Sequence, residues 1–189
     1  MRFVYLTLIS IILSVSAYAQ PTKIAIINSA QFSAEKGGIT KLVAAYNTLD
    51  VEFKPASDEI AQINTKLSTL SKELSAIQDQ FSKPGVDAQT LRNQYTQKEE
   101  EGQNLQITLK RKQEDAKARY ERREEVVTGP IIKEITDAMS AYIKAHGIDL
   151  LLDASKLESL LAFNPAIDVT DAFIKEFNAK SAGVPIKQP

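Results

Sequence analysis

From Ile39 to Phe81 an apolar residue recurs at alternating steps of three and four: Ile39, Leu42, Tyr46, Leu49, Phe53, Ala56, Ile60, Ile63, Leu67, Leu70, Leu74, Ile77 and Phe81. A mean spacing of 3.5 keeps one seam of a helix facing one partner helix along its whole length. At about 1.5 Å per residue the segment spans about 65 Å. A core built by this chain has no need of such a helix, so the pattern predicts one that projects. Pro55 lies inside the run but off the seam, and the period continues in phase across it, which predicts a kink and not an end. Between Ser82 and Asp87, Pro84-Gly85 stops the helix and Asp87 can cap the next. So short a turn makes the two helices antiparallel neighbours.

The returning helix, roughly 88–127, carries Leu91, Tyr95, Leu105, Leu109, Ala116, Tyr120 and Val127, but Lys98, Gly102, Lys112 and Arg123 fall at or near its seam positions. Gln97 to Asn104 holds no apolar residue larger than glycine. Such a seam cannot close dry, and the hairpin is expected to bend and breathe there.

Around the hairpin the pattern changes period. Lys23–Asn28 reads as a buried strand, and Ser33 is placed to cap a short helical turn that Gly37-Gly38 interrupts. Thr128-Gly129-Pro130 is expected to break the arm, with Pro130 in the first turn of a new helix that His146-Gly147 closes. Ile148–Asp153 and Ser159–Phe163 read as second and third strands, and Asp168 or Thr170 can cap a last helix bearing Ala172, Phe173 and Phe177. The fold class is α+β: a small strand-bearing body, residues 20–38 and 131–189, and a helical hairpin arm, 39–130, with its tip near 82–87. Three short strands and two or three helices make a marginal core. Association of several bodies is the remedy, with Ile24, Ile26, Leu150, Leu152, Leu161, Phe163 and Ile167 as the contact residues.

Composition narrows the function. The 189 residues hold no cysteine, one histidine and a formal net charge of −1, so no global basic field recommends a nucleic-acid partner. Arg2, the apolar run Phe3–Val15 and Ala17-Tyr18-Ala19 have the parts of a secretory signal peptide over residues 1–19, cleaved before Gln20. The alternative, a membrane anchor, is disfavoured because a span needs about 20 apolar residues. An exported chain without cysteine relies on packing and association in place of disulfides.

Candidate chemistry is sparse. His146 stands at a helix end, where its interaction with the negative terminus explains it. Phosphate loops, nucleophile elbows and thiolate or imidazole metal sets are missing from the sequence. The carboxylates sit in charge runs such as Glu99-Glu100-Glu101. No catalytic residue, metal or cofactor is expected. Lys110–Arg123 holds seven cations against three anions. It reads either as a patch for acidic partners or anionic head groups, or as a helix face laced with four-residue pairs such as Asp115 with Arg119, and the second reading is favoured.

The phrases "KIAIINSAQFSAEKGG", "GPIIKEITDAMSAYIKAHGIDLLLDAS" and above all "NPAIDVTDAFIKEFN", in this order around a long hairpin, resemble the Skp/OmpH family of periplasmic chaperones. The resemblance spans essentially the whole chain after residue 19, and is specific in the body but generic in the arm. It implies a homotrimer with three hairpins around a cavity, acting as an ATP-independent holdase for unfolded outer-membrane β-barrel proteins. Anionic membrane surface or lipopolysaccharide is a further partner of this class. The family's strongly basic members contrast with the pI of about 5.9 here. Client contacts should therefore lean on arm apolars Val43, Val51, Val86, Leu91 and Tyr95, with Lys110, Arg111, Lys117 and Arg119 supplying what local attraction there is. The competing reading is an exported coiled-coil spacer or adaptor for one defined partner, although the irregular second seam argues against it.

Overall fold

The computed structural model describes residues 22–181. The expected signal peptide, and the tail beyond Ser181, lie outside them. Strand β1 (Ile24–Ile27) leads through a 3-10 turn, Ser29–Ser33, into helix α1 (Thr40–Phe81). Helix α2 (Ala88–Ala145) returns, followed by strand β2 (Leu150–Asp153), 3-10 turns at Ala154–Lys156 and Pro165–Ile167, and helix α3 (Thr170–Ser181).

Helix α1 runs unbroken through Pro55 for 42 residues. The turn at its end places Gly85 at φ 82°, a backbone region that only glycine enters freely. Asp87 then caps α2 as expected, its side chain accepting from the N–H groups of Gln89 and Thr90.

Four expectations are corrected. The hairpin does not break at Thr128-Gly129-Pro130, because α2 passes through it for a total of 58 residues. The Thr128 hydroxyl donates to the Glu124 carbonyl one turn back at 2.8 Å, a bond a helix-interior threonine makes, and the carbonyl that Pro130 leaves without an N–H is that of Val126. Ser33 caps no helical turn, since residues 35–37 after it form only a turn; it ends instead a 3-10 turn that Asn28 caps, the Asn28 side-chain oxygen accepting from the Ala30 N–H at 3.1 Å. Ser159–Phe163 is not a strand, since no neighbouring strand among the described residues offers it a ladder. Asp115 does not pair with Arg119; the four-residue pairs in this stretch are Lys110 with Glu114 at 4.0 Å and Lys117 with Glu121 at 3.8 Å.

The strands pair in parallel, Ile24 opposite Leu150 through Ile27 opposite Asp153. On the other side of β1, a single bridge joins Ile26 to Asp168, and the Val169 N–H donates to the Ile26 carbonyl at 2.9 Å. Alternation decides which face is buried. Ala25 and Ile27 point into a core shared with Phe32, Ile39, Leu42, Ile135, Tyr142, Ile148, Phe173, Ile174 and Phe177. The root of the hairpin is tied to α3 by Asn178, which accepts from the Thr40 N–H and donates to the Gly38 carbonyl, each at 3.0 Å.

Asp153 closes the end of the sheet. Its carboxylate accepts from the Ser29 hydroxyl and N–H and from the Ser155 hydroxyl and N–H. Burial alone would raise its pKa, but these four donors outweigh burial and hold it below the ordinary 3.8. A carboxylate depressed in the folded state adds stability that is present above its unfolded pKa and lost as pH falls through the folded one. Asp153→Asn should therefore cost about 1–2 kcal/mol at neutral pH. Urea unfolding at a series of pH values should show that gap closing below 3.8; a gap independent of pH would contradict the assignment.

Candidate functional site

The hairpin seam separates into two lines along α1. Leu42, Leu49, Ile63, Leu70 and Ile77 are buried, with the smaller Ala56 completing that heptad line. Tyr46, Phe53, Ile60, Leu67 and Leu74 form the other line and are only half-buried, and Phe81, which continues it at the tip, is exposed. One flank of the arm is thus sealed and the other presents a half-open apolar strip.

Polar residues in the returning seam explain the difference. Lys98 bonds Glu73, Lys112 Nζ lies 2.7 Å from Glu59 Oε1, and Arg123 Nε lies 2.9 Å from Glu52 Oε2. Glu52, Glu59 and Glu73 each immediately precede a residue of the half-open line, namely Phe53, Ile60 and Leu74. Long cations thus lay their methylene stems beside the strip and hold their charges at its rim. Gly102 fills the remaining diluted position, where an added Cβ would stand 3.2 Å from Leu70 Cδ2. Side chains in these three pairs are a third to a half exposed, so each pair is worth about 0.2–1 kcal/mol. Lys112→Glu should lower the unfolding midpoint by that small amount, and Glu59→Lys on the same chain should restore it. A swap that does not recover stability would remove the pair from the account.

At the arm root the Tyr46 hydroxyl donates to Glu124 Oε1 at 3.2 Å. Burial first, and then the Glu124 carboxylate, push that phenol above its ordinary pKa, so it stays a donor. His146 serves the body: its ring lies 4.0 Å from that of Tyr142 and its Nε2 is 3.1 Å from Glu176 Oε2. Lys180, and then His146, hold the Glu176 carboxyl below its usual value.

Among the expected contact residues, Val51 is 75% exposed and Val86 at the tip 38%, while Val43 is half-buried. Leu91 is packed into the seam and only 7% exposed. Tyr95 is half-buried, and its hydroxyl accepts from the Gln78 amide at 3.1 Å. Lys110, Arg111, Lys117 and Arg119 are exposed. The sequence reading overlooked Ile107 and Val126, exposed apolar residues of α2 that fall off the seam; their placement between seam positions is the signal that could have marked them.

In the body, Ile24 and Leu150 oppose each other in the sheet register and both are exposed, as are Leu161, at 98%, and Phe163. Leu152 and Ile167 are half-buried, whereas Ile26, beside the bridge to Asp168, is buried. Parallel sheets are normally covered on both faces, yet this two-stranded one has apolar residues on its outer face, and the outer edge of β2 has no partner among the described residues. Those residues include no cluster of three or more metal-ligating side chains, and no helix long and apolar enough to cross a membrane.

A hairpin with one half-open flank, rooted in a small parallel sheet whose outer face is partly uncovered, defines a class of protein with a long helical arm on a small α+β base. The chain belongs to the Skp/OmpH family: the family of outer membrane proteins described as OmpH-like matches residues 23–177. Among solved structures, the chain is similar to an OmpH-like protein of Caulobacter crescentus, described as a candidate outer membrane chaperone. The two are 17% identical over 88% of this chain and 90% of that one, with a TM-score of 0.48. Comparison with curated proteins returns no match.

Proposed function

We propose that the protein is an ATP-independent holdase of the periplasm that binds unfolded outer-membrane β-barrel proteins between helical arms and keeps them from aggregating. The half-open apolar strip carries this reading. Tyr46, Phe53, Ile60, Leu67 and Leu74 run the length of α1 half-buried under a rim of cations, which offers many shallow contacts and no closed pocket. An unfolded barrel strand alternates apolar and polar residues, so it presents the complementary pattern without a fixed shape. Several weak contacts on several arms add up to retention while leaving the client mobile. Val43, Val51 and Val86 extend the contact surface, and Leu91 and Tyr95 support it from within the seam.

The arms are brought together by the bodies, in a homotrimer. The outer sheet face, with Ile24 and Leu150, and the unpaired stretch around Leu161 and Phe163 supply the apolar surface that subunits cover for one another. Lys110, Arg111, Lys117 and Arg119 give a local attraction for anionic membrane surface or lipopolysaccharide. No active site is proposed.

Native mass spectrometry tests the reading, on the protein alone and after dilution of a urea-unfolded barrel protein into it. Three subunits with one client are expected. A trimer that ignores the client would leave a spacer or adaptor bound to one defined partner, and a monomer would defeat the assembly.

A further inference from the structure

A groove of about 290 Å³ opens on the arm near its root, lined by Glu52, Phe53, Arg119, Arg122, Arg123 and Val126. Its floor is fixed: Phe53 packs edge-on against Tyr120 at 5.2 Å between ring centres. The Arg119 guanidinium carbon stands 5.9 Å from the Phe53 ring centre. Arg123 is engaged with Glu52 at 2.9 Å. Arg119 and Arg122 have no carboxylate partner among the described residues. The groove thus joins an aromatic face and an exposed valine to two guanidinium groups with unused donors, and a guanidinium binds a carboxylate through two parallel bonds.

We propose that this groove is a subsite for a peptide carboxylate carried beside an aromatic side chain. The carboxylate lies on Arg119 and Arg122 while the ring rests on Phe53 and Val126. The inference rests on the reading of the chain as a holder of unfolded protein and names one contact within it. A single carboxylate fits better than a polyanionic surface because acids crowd the same stretch: Asp50, Glu52, Glu121, Glu124 and Glu125. At the groove itself they disfavour an extended anionic array, which would lie instead toward Lys110, Arg111 and Lys117, yet they leave room for one charge between them.

The test uses the full exported chain and three short acetylated peptides carrying 4-fluorophenylalanine: one ending in its free carboxylate, the same peptide amidated, and an amidated one with glutamate before the ring. Fluorine line broadening reads binding without a charged label. Both carboxylate peptides should bind about five- to tenfold more tightly than the plain amide. Preference for the free terminus alone would assign the site to chain ends, and equal preference to acidic-aromatic segments; either supports the groove. Arg119→Gln with Arg122→Gln, and Arg122→Gln alone at an exposed position, should erase the preference. Lys66→Gln with Lys72→Gln, at two exposed arm positions outside any proposed contact, removes equal charge elsewhere and should keep it.

Absence of a carboxylate preference in the wild type, or equal loss in both double variants, would overturn the proposal. So would binding of phosphatidylglycerol vesicles that depends on Arg119 and Arg122 while the peptides fail to bind. Retention of a full-length unfolded barrel protein by the wild type is measured in parallel. A wild type that retains nothing defeats the holding function itself, whereas one that retains client without any carboxylate preference defeats only the groove.

Discussion

Phe173→Ala is expected to unfold the body at urea concentrations where the wild type is intact, while much of the arm's helical signal survives. Phe173 is 2% exposed. Its ring centre lies 5.6 Å from that of Phe32, 5.5 Å from Tyr142 in an edge-on arrangement, and 6.1 Å from Phe177. It is therefore the point at which α3, the first 3-10 turn and the root of α2 meet. Truncating a buried phenylalanine costs about 3–5 kcal/mol, against a total of about 5–15 kcal/mol for an ordinary domain. The arm seam shares none of these rings, so far-ultraviolet circular dichroism should largely persist at urea concentrations where body amides such as that of Val169, bonded to the Ile26 carbonyl, already exchange rapidly with deuterium. A midpoint shift worth under about 1 kcal/mol would mean that the site collapses around the missing ring and is not the keystone assigned here.

Leu161→Asp should do the reverse, sparing the subunit and dissolving the assembly. At 98% exposure the leucine packs against nothing in its own chain, so the aspartate costs the isolated subunit little. In the proposed trimer the same side chain enters an apolar contact, where an unpaired carboxylate is strongly disfavoured. Light scattering should report the mass of one subunit where the wild type gives three, with circular dichroism unchanged at low temperature. An unchanged mass would place the subunit contact elsewhere, and Ile24→Asp, on the outer sheet face, would then be the next variant.

The arm was legible because periodicity is a long-range signal that neighbours cannot hide. Each α1 residue from Leu42 to Ile77 assigned to the seam is buried or half-buried, since one helix packed on one partner leaves no other solution. What the period could not convey is how the seam closes. Lys98, Lys112 and Arg123 read as dilution, and their meaning lies in Glu73, Glu59 and Glu52, tens of residues away on the partner helix. The break expected at Gly129-Pro130 failed for a related reason. Local propensity favours an end there, but packing of Ile135 and Tyr142 into the core carries the helix through it. Ser159–Phe163 has strand-like composition, and composition cannot supply the neighbouring strand that a ladder requires. In the groove, Arg119 and Phe53 are individually visible, but only the hairpin register brings them together.

The continuity of α2 has a mechanical consequence. Its last turns are embedded in the core through Ile135 and Tyr142, and its first residue, Ala88, stands at the tip. The stretch between is about 70 Å long at about 1.5 Å per residue. A rod clamped at one end amplifies rotation, so tilting the clamp by about 5° sweeps the far end through about 6 Å at that length. In the proposed trimer, small angular adjustments where subunits meet would thereby be converted into changes of aperture at the distal end, with no joint needed along the way.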